Sequence, residues 1–218
     1  MNYELRKKEG TSRAQSARLS RGFSLVELLV SIGIFVLITS VIVISQHNLG
    51  GTILITNLSY DVALSVRQAQ VYGVSVSSVG QATPSFQKSY GIHFEQSGYY
   101  VLFAVDIGGE QRYDASVNNT STGCMPSSKC ISFFKIEQGN VVSRFCADSN
   151  CAGAGTNNTI SAMDIIFTRP NPEPTIYTYN NSGVLVSNSA GNATITVMSP
   201  QGLTKVVGVL SSGQIAVQ

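Results

Sequence analysis

Hydrophobic positions follow two regimes along the chain. Residues 28–44 carry no charge and are interrupted only by Ser31, Gly33, Thr39 and Ser40. With residues 23–26 in front, the run reaches the roughly 20 residues that span the hydrocarbon of a bilayer. Beyond it, Leu54, Leu58, Val62, Ser65, Ala69, Tyr72 and Val76 recur at steps of four and three, and Ile55 widens the stripe. Asp61, Arg67, Gln68 and Gln70 fall mostly off it. That period predicts an amphipathic helix with one packing face. Continuous from 23 to about 76, it would be roughly 80 Å long at ~1.5 Å per residue. The Gly50-Gly51 pair is its weak point, at about 1 kcal/mol per glycine.

After "SSVGQATPS" the pattern shortens to strand-like runs at 90–95, 99–105, 131–136, 141–146, 164–168, 175–179, 193–198, 204–210 and 214–217. The intervening "EQSG", "EQGN", "NNSG", "SPQG" and "SSGQ" are turn sequences, rich in residues that accept positive φ or bond their own backbone. "RPNPEP" at 169–174 cannot lie inside a strand, because proline removes ladder donors. Residues 114–129 and 148–158 read as loops. The expected fold class is α+β, a long N-terminal helix packed on a C-terminal antiparallel β-domain. The chain then divides into a basic head at 1–22, a membrane helix at 23–45, an amphipathic extension at 46–78 and a β-domain at 79–218.

Composition sharpens this picture. Charged residues make up 12% of the chain, about half the usual share, which fits an exported, strand-rich domain. Residues 1–22 hold six basic side chains (Arg6, Lys7, Lys8, Arg13, Arg18 and Arg21) and two acidic ones, Glu4 and Glu9. The remainder holds eight basic and ten acidic groups, which leaves no electrostatic footprint for nucleic acid. No Lys or Arg occurs between Gly22 and Arg67, so the positive-inside rule keeps the head cytoplasmic and exports the chain beyond the apolar run.

An exported chain makes disulfides the expected state of Cys124, Cys130, Cys146 and Cys151. Their spacing departs from the two-residue gaps usual in zinc sites. A three-residue hairpin loop at 137–139 would place Cys130 opposite Cys146, leaving Cys124 to pair with Cys151. That register argument favours the nested pairing. The local alternative, Cys124–Cys130 with Cys146–Cys151, needs no register.

Glu27 is the anomaly of the apolar run. An acidic residue deep in a bilayer costs roughly 2.5–3.5 kcal/mol. The surrounding "RGFSLVELL" resembles the prepilin leader shared by type IV pilins and type II secretion pseudopilins. The resemblance implies cleavage by a prepilin peptidase between Gly22 and Phe23, N-methylation of Phe23, and a glutamate, Glu27, as fifth mature residue. It also supplies the physical reason for Glu27: the new amine of one subunit and the carboxylate of a neighbour neutralise each other, and a buried charge is tolerable when paired. "SVRQAQVYGVSV" and the closing "ITVMSPQGLTKVVGVLSSGQIAVQ" are similar to H-type minor pseudopilins and their pilin relatives. The midhelix proline of many major pilins is missing. The implied partners are other pilin or pseudopilin subunits, an inner-membrane assembly platform and the membrane itself. The β-domain's size and long loops favour a minor subunit.

Little in the chain suggests catalysis. The two histidines, His47 and His93, stand apart in sequence, and His93 between Ile92 and Phe94 reads as a strand residue facing one side. No phosphate loop or dinucleotide fingerprint occurs. No cofactor is expected; "DIGGEQRYD" at 106–114 is a candidate calcium loop without EF-hand spacing. Asn-x-Ser/Thr sequons at Asn57, Asn118, Asn119, Asn157, Asn180 and Asn192 read as polar surface. The functional expectation is a structural filament subunit, not an enzyme. The alternative is a monomeric, membrane-tethered extracytoplasmic binding protein or adhesin, in which Glu27 is incidental.

Overall fold

The computed structural model describes residues 22–75, 87–108, 112–120, 123–126, 128–153, 160–189 and 191–218. The basic head at 1–21 and the "SSVGQATPS" connection lie outside the described residues. Helix α1 covers Leu25–Val74. The chain divides into two compact units between Ser45 and Gln46, so the two parts of α1 are separate packing units. The first is an apolar helix, and the second belongs to an α+β domain.

The β-domain contains β1 (Lys88–Glu95), β2 (Tyr99–Asp106), a short helix α2 (Ala115–Asn118), β3 (Asn119–Thr120), β4 (Gly123–Cys124), β5 (Cys130–Lys135), β6 (Val141–Ala147), β7 (Asn150–Gly153), β8 (Ala162–Phe167), β9 (Pro174–Tyr179), β10 (Leu185–Ser189), β11 (Ala193–Met198), β12 (Thr204–Val209) and β13 (Ile215–Val217). One antiparallel sheet runs β10-β9-β8-β1-β2-β5 and another β13-β12-β11-β6-β7, while β3 and β4 form a small ribbon. Strands β3, β4, β7 and β10 and helix α2 were not expected from the sequence. All but β10 fall where loops were read, because elements of two to four residues are too short to show a period.

Ile92, Phe94, Leu102 and Ile165 of the first sheet meet Phe145, Ile195 and Val207 of the second in one core, which also holds Ile55, Val62, Val66 and Ala69 of α1. The buried helix face is turned by about one residue from the expected stripe. Leu54, Leu58 and Tyr72 are half-buried, while Ser59, Val66 and Gly73 are buried; Val76 lies outside the described residues. Packing sets this rotation, and Gly73 lies close against the Phe167 backbone. A Cβ on Gly73 would lie 2.7 Å from the Phe167 Cβ and closer still to its carbonyl oxygen. Gln70, expected off the stripe, is buried and donates from Nε2 to the carbonyls of Pro172 and Gly213, at 2.9 Å each.

β1 and β2 are buried almost throughout, because both faces of their sheet are covered. On the second face Tyr113 packs with Val101, Phe103, Val105, Cys130 and Ile166. Ala115 and Cys124, in the segment read as a loop, pack against this second core. Asn118 and Asn119, read as surface sequons, are buried there.

The expected 137–139 hairpin is corrected. Gln138 and Gly139 take positive φ, 62° and 74°, yet β5 and β6 do not pair. β5 pairs with β2, and β6 pairs with β11 and β7. The turn carries the chain from one sheet to the other, anchored where Ile136 N–H donates to the Gly98 carbonyl at 2.7 Å. With the register gone, the nested disulfides go too. Cys124 bonds Cys130 and Cys146 bonds Cys151, with Cα–Cα distances of 5.4 and 4.1 Å. Cys146 and Cys151 are direct partners across β6 and β7.

Candidate functional site

At the start of the described chain, Gly22 and Phe23 precede α1, and Phe23 is exposed. Leu28 N–H donates to the Ser24 carbonyl at 3.1 Å, so the helix begins at once after the Gly22–Phe23 bond. Glu27 falls in its first turn, where the helix dipole favours an anion. Ser31 and Thr39, the polar interruptions, donate their hydroxyls to the carbonyls of Glu27 and Phe35, at 2.7 and 2.9 Å. Their polarity is thus absorbed within the helix. The 19 residues Leu25–Val43 are long and apolar enough to cross a membrane, and none of that span is buried within the chain. A helix apolar all round needs lipid or other helices about it.

A second constellation lies inside the β-domain. His93 on β1 is the register partner of Asp164 on β8, and its Nδ1 lies 2.5 Å from Asp164 Oδ1. Its Nε2 is 3.0 Å from Glu95 Oε1. Asp164 Oδ2 accepts from Tyr113 N–H at 2.9 Å, and Tyr99 donates its hydroxyl to Glu95 Oε2 at 3.2 Å. Tyr113 also donates its hydroxyl to Asn119 Oδ1. Burial opposes charge on His93, but the Asp164 carboxylate, followed by Glu95, outweighs it and raises the imidazole from 6.5 to about 9. The hydrogen bond to His93 in turn holds Glu95 below the ordinary carboxylate value of 4.5. An imidazolium thus bridges two carboxylates and ties β1, β8 and the 112–120 segment together. A cleft of ≈ 590 Å³ opens beside it, bordered by Arg112, Asp114, Ser116 and Asn180, with the Arg112 guanidinium 5.5 Å from the Tyr179 ring centre. His93, read as a plain strand residue, is thus the hub of a charge network. The alternation His93-x-Glu95 on one strand face and the lone Asp164 in "AMDIIF" were the available signals.

The candidate calcium loop divides between other duties. Asp106 pairs with Lys88 at 2.7 Å, and Asp114 caps α2 by accepting from Ser116 N–H. Residues 109–111 are outside the described set. Among the described residues no group of three or more His, Cys, Asp or Glu side chains is placed to hold a metal ion.

Comparison with known families meets the chain at its N-terminal end. Residues 17–43 match the prokaryotic N-terminal methylation motif, the type IV pilin-type signal. The chain carries that signal. The methylation motif brackets Gly22, Phe23 and Glu27 and ends with the exposed apolar span. It points to a pilin-like, structural class of protein anchored in a membrane. No curated protein and no solved structure matches the chain, and the β-domain lies wholly beyond the matched residues.

Proposed function

We propose that this chain is a subunit of a type IV pilus or type II secretion pseudopilus. A prepilin peptidase cuts it between Gly22 and Phe23 on the cytoplasmic side, and Phe23 is N-methylated. The helix then anchors the subunit until assembly, when Glu27 meets the Phe23 amine of a neighbour. The β-domain, held by its two local disulfides, faces outward. The chain performs no chemistry of its own in this role, and a motor and assembly platform supply the work.

The observation that carries the reading is the methylation motif at 17–43 on a helix that buries none of its apolar span in its own chain yet opens with a carboxylate. In lipid alone Glu27 is a cost; beside a neighbour's amine it is neutralised. The test is expression with and without a prepilin peptidase, reading the membrane-bound N-terminus by mass spectrometry. A peptide beginning at N-methyl-Phe23, dependent on the peptidase, is expected. A Met1 start in both conditions would leave a simple anchor and favour the monomeric binding protein.

A further inference from the structure

Arg112 borders the cleft beside His93, its side chain 33% exposed. Tyr113, next along, is fixed by its N–H bond to Asp164, and the Arg112 carbonyl accepts from Lys129 Nζ at 3.1 Å. The guanidinium is held by packing. It lies 5.5 Å from the centre of the Tyr179 ring, a cation–π contact. Beside it stands Gly183, where an added Cβ would lie 2.6 and 2.7 Å from Cζ and Nη1 and closer still to Nη2. The "NNSG" turn puts that glycine there. Asn180 Oδ1 accepts from the Ser182 and Val184 N–H groups at 3.0 and 2.9 Å, and Gly183 takes a φ of 71° that glycine adopts at no steric cost. The guanidinium donors are unspent. Nη2 is 3.9 Å from Asp114 Oδ2, too far for a hydrogen bond, and among the described residues the guanidinium donates none.

We propose that this cleft binds a hydroxy acid of the uronate type, with its carboxylate forked on Arg112 and a ring hydroxyl donated to Glu95. The planar guanidinium presents paired N–H donors that match a carboxylate. Glu95 supplies the opposite pole. Its Oε1 and Oε2 meet His93 and Tyr99, which fixes the carboxylate, yet each oxygen has a second lone pair to offer. The hydrogen bond to His93 keeps Glu95 ionised, so it accepts and does not donate. Asp114 is engaged too, since its Oδ1 accepts from Ser116 N–H and Oγ. Both poles are therefore in place before the ligand arrives, and little ordering is lost on binding. The site stands whether or not the chain enters a filament.

The rest of the cleft selects the class. Ser116, Ser161, Gln96 and Asn181 border it with hydroxyls and amides, which suit a polyhydroxylated ring rather than a hydrocarbon tail. At ≈ 590 Å³ it falls within the range of small-ligand sites. A peptide held by its C-terminal carboxylate fits less well. Extended peptides gain affinity by adding to an open sheet edge. His93, Ala162 and Tyr179 of the cleft stand on β1, β8 and β9, all interior strands of their sheet. Charge narrows the ligand further. Asp114 and Glu95 repel a second carboxylate, so a monoanion is admitted and a dianion refused.

Ligand titration of the full chain in detergent, read by saturation-transfer NMR, tests the site. Galacturonate is expected to bind. Its methyl ester, galactose and the dicarboxylate galactarate are expected to bind at least tenfold more weakly. The ester comparison changes the ligand alone, so it decides the matter even where a variant misfolds. R112Q should lower galacturonate affinity at least tenfold, and R112K, which keeps the charge without the fork, several-fold. Trigalacturonate separates the sources: tighter binding than the monomer assigns the site to an acidic polysaccharide, and equal or weaker binding assigns it to the free acid. No saturation transfer from galacturonate, glucuronate or trigalacturonate at millimolar concentration overturns the proposal. An ester that binds as tightly as the acid overturns it, as does wild-type affinity in R112Q. Trialanine binding more tightly than any uronate would assign the cleft to a peptide terminus and overturn it as well. None of these outcomes bears on cleavage after Gly22, so the filament reading is tested apart.

Discussion

Raising the pH from 6 to 9.5 removes the proton that holds His93 between Asp164 and Glu95. The imidazole titrates at 6.5 when unfolded and at about 9 when folded. Because the folded value is the higher one, the stabilisation is complete below 6.5, declines as pH rises through about 9, and is gone above it. At ~1.36 kcal/mol per pH unit, the interval is worth about 3 kcal/mol. Glu95, whose folded value is depressed, contributes at the other end of the scale: its share is present above 4.5 and lost as pH falls through its folded value. Tyr99, Tyr113 and Tyr179 are pushed upward chiefly by burial and stay protonated across the window. The assay is urea unfolding of the full chain in detergent with disulfides intact. Tyrosine fluorescence is the probe, since the chain has nine Tyr and no Trp. With a slope of ~2 kcal/mol per M, the midpoint should fall by about 1.5 M between pH 6 and 9.5. The H93Q variant should be less stable at pH 6 and lose that slope. With two histidines in the chain, imidazole NMR reads the same proton directly. A midpoint flat across the window, or a His93 resonance titrating near 6.5, refutes the reasoning.

Assembly, packing and disulfide pairing each supply a further test. Glu27→Gln should keep peptidase-dependent cleavage and membrane insertion but deplete the sheared filament fraction at least tenfold; normal assembly would show that no amine requires that charge. Gly73→Ala should lower stability by about 1–3 kcal/mol, since its Cβ would lie 2.9 Å from the Phe167 carbonyl carbon, and a thermal melt unchanged from wild type would contradict the close approach. Nonreducing tryptic mapping should link the Cys124 peptide to the one starting at Cys130, cut apart at Lys129, while Cys146 and Cys151 share one uncut peptide. A peptide joining Cys130 to Cys146 would instead restore the hairpin register. Replacing both Cys146 and Cys151 by serine should cost about 2 kcal/mol, the closure entropy of a very short loop, read as a shift in urea midpoint.

The membrane-length apolar run, the anomaly of Glu27 and the approximate position of most strands were legible in the amino-acid order alone. These are local properties: a run of consecutive apolar residues, a charge within it, and alternation over a few residues all survive without knowing what lies opposite. Residues 17–43 carry the candidate site for the same reason, because a peptidase reads a contiguous stretch. Packing chose which strands became neighbours. The 137–139 turn had the residues of a hairpin, and Gln138 and Gly139 adopted the positive φ that such a turn uses. Burial nevertheless sent β5 to β2 and β6 to β11, and the disulfides followed the sheets. His93 and Asp164 are 71 positions apart and became partners through the β1–β8 register. The periodicity of α1 announced a packing face, but packing chose its rotation, with Gly73 lying close against the Phe167 backbone. Which residue stands opposite which is a property of the whole packed chain, and a local pattern cannot encode it.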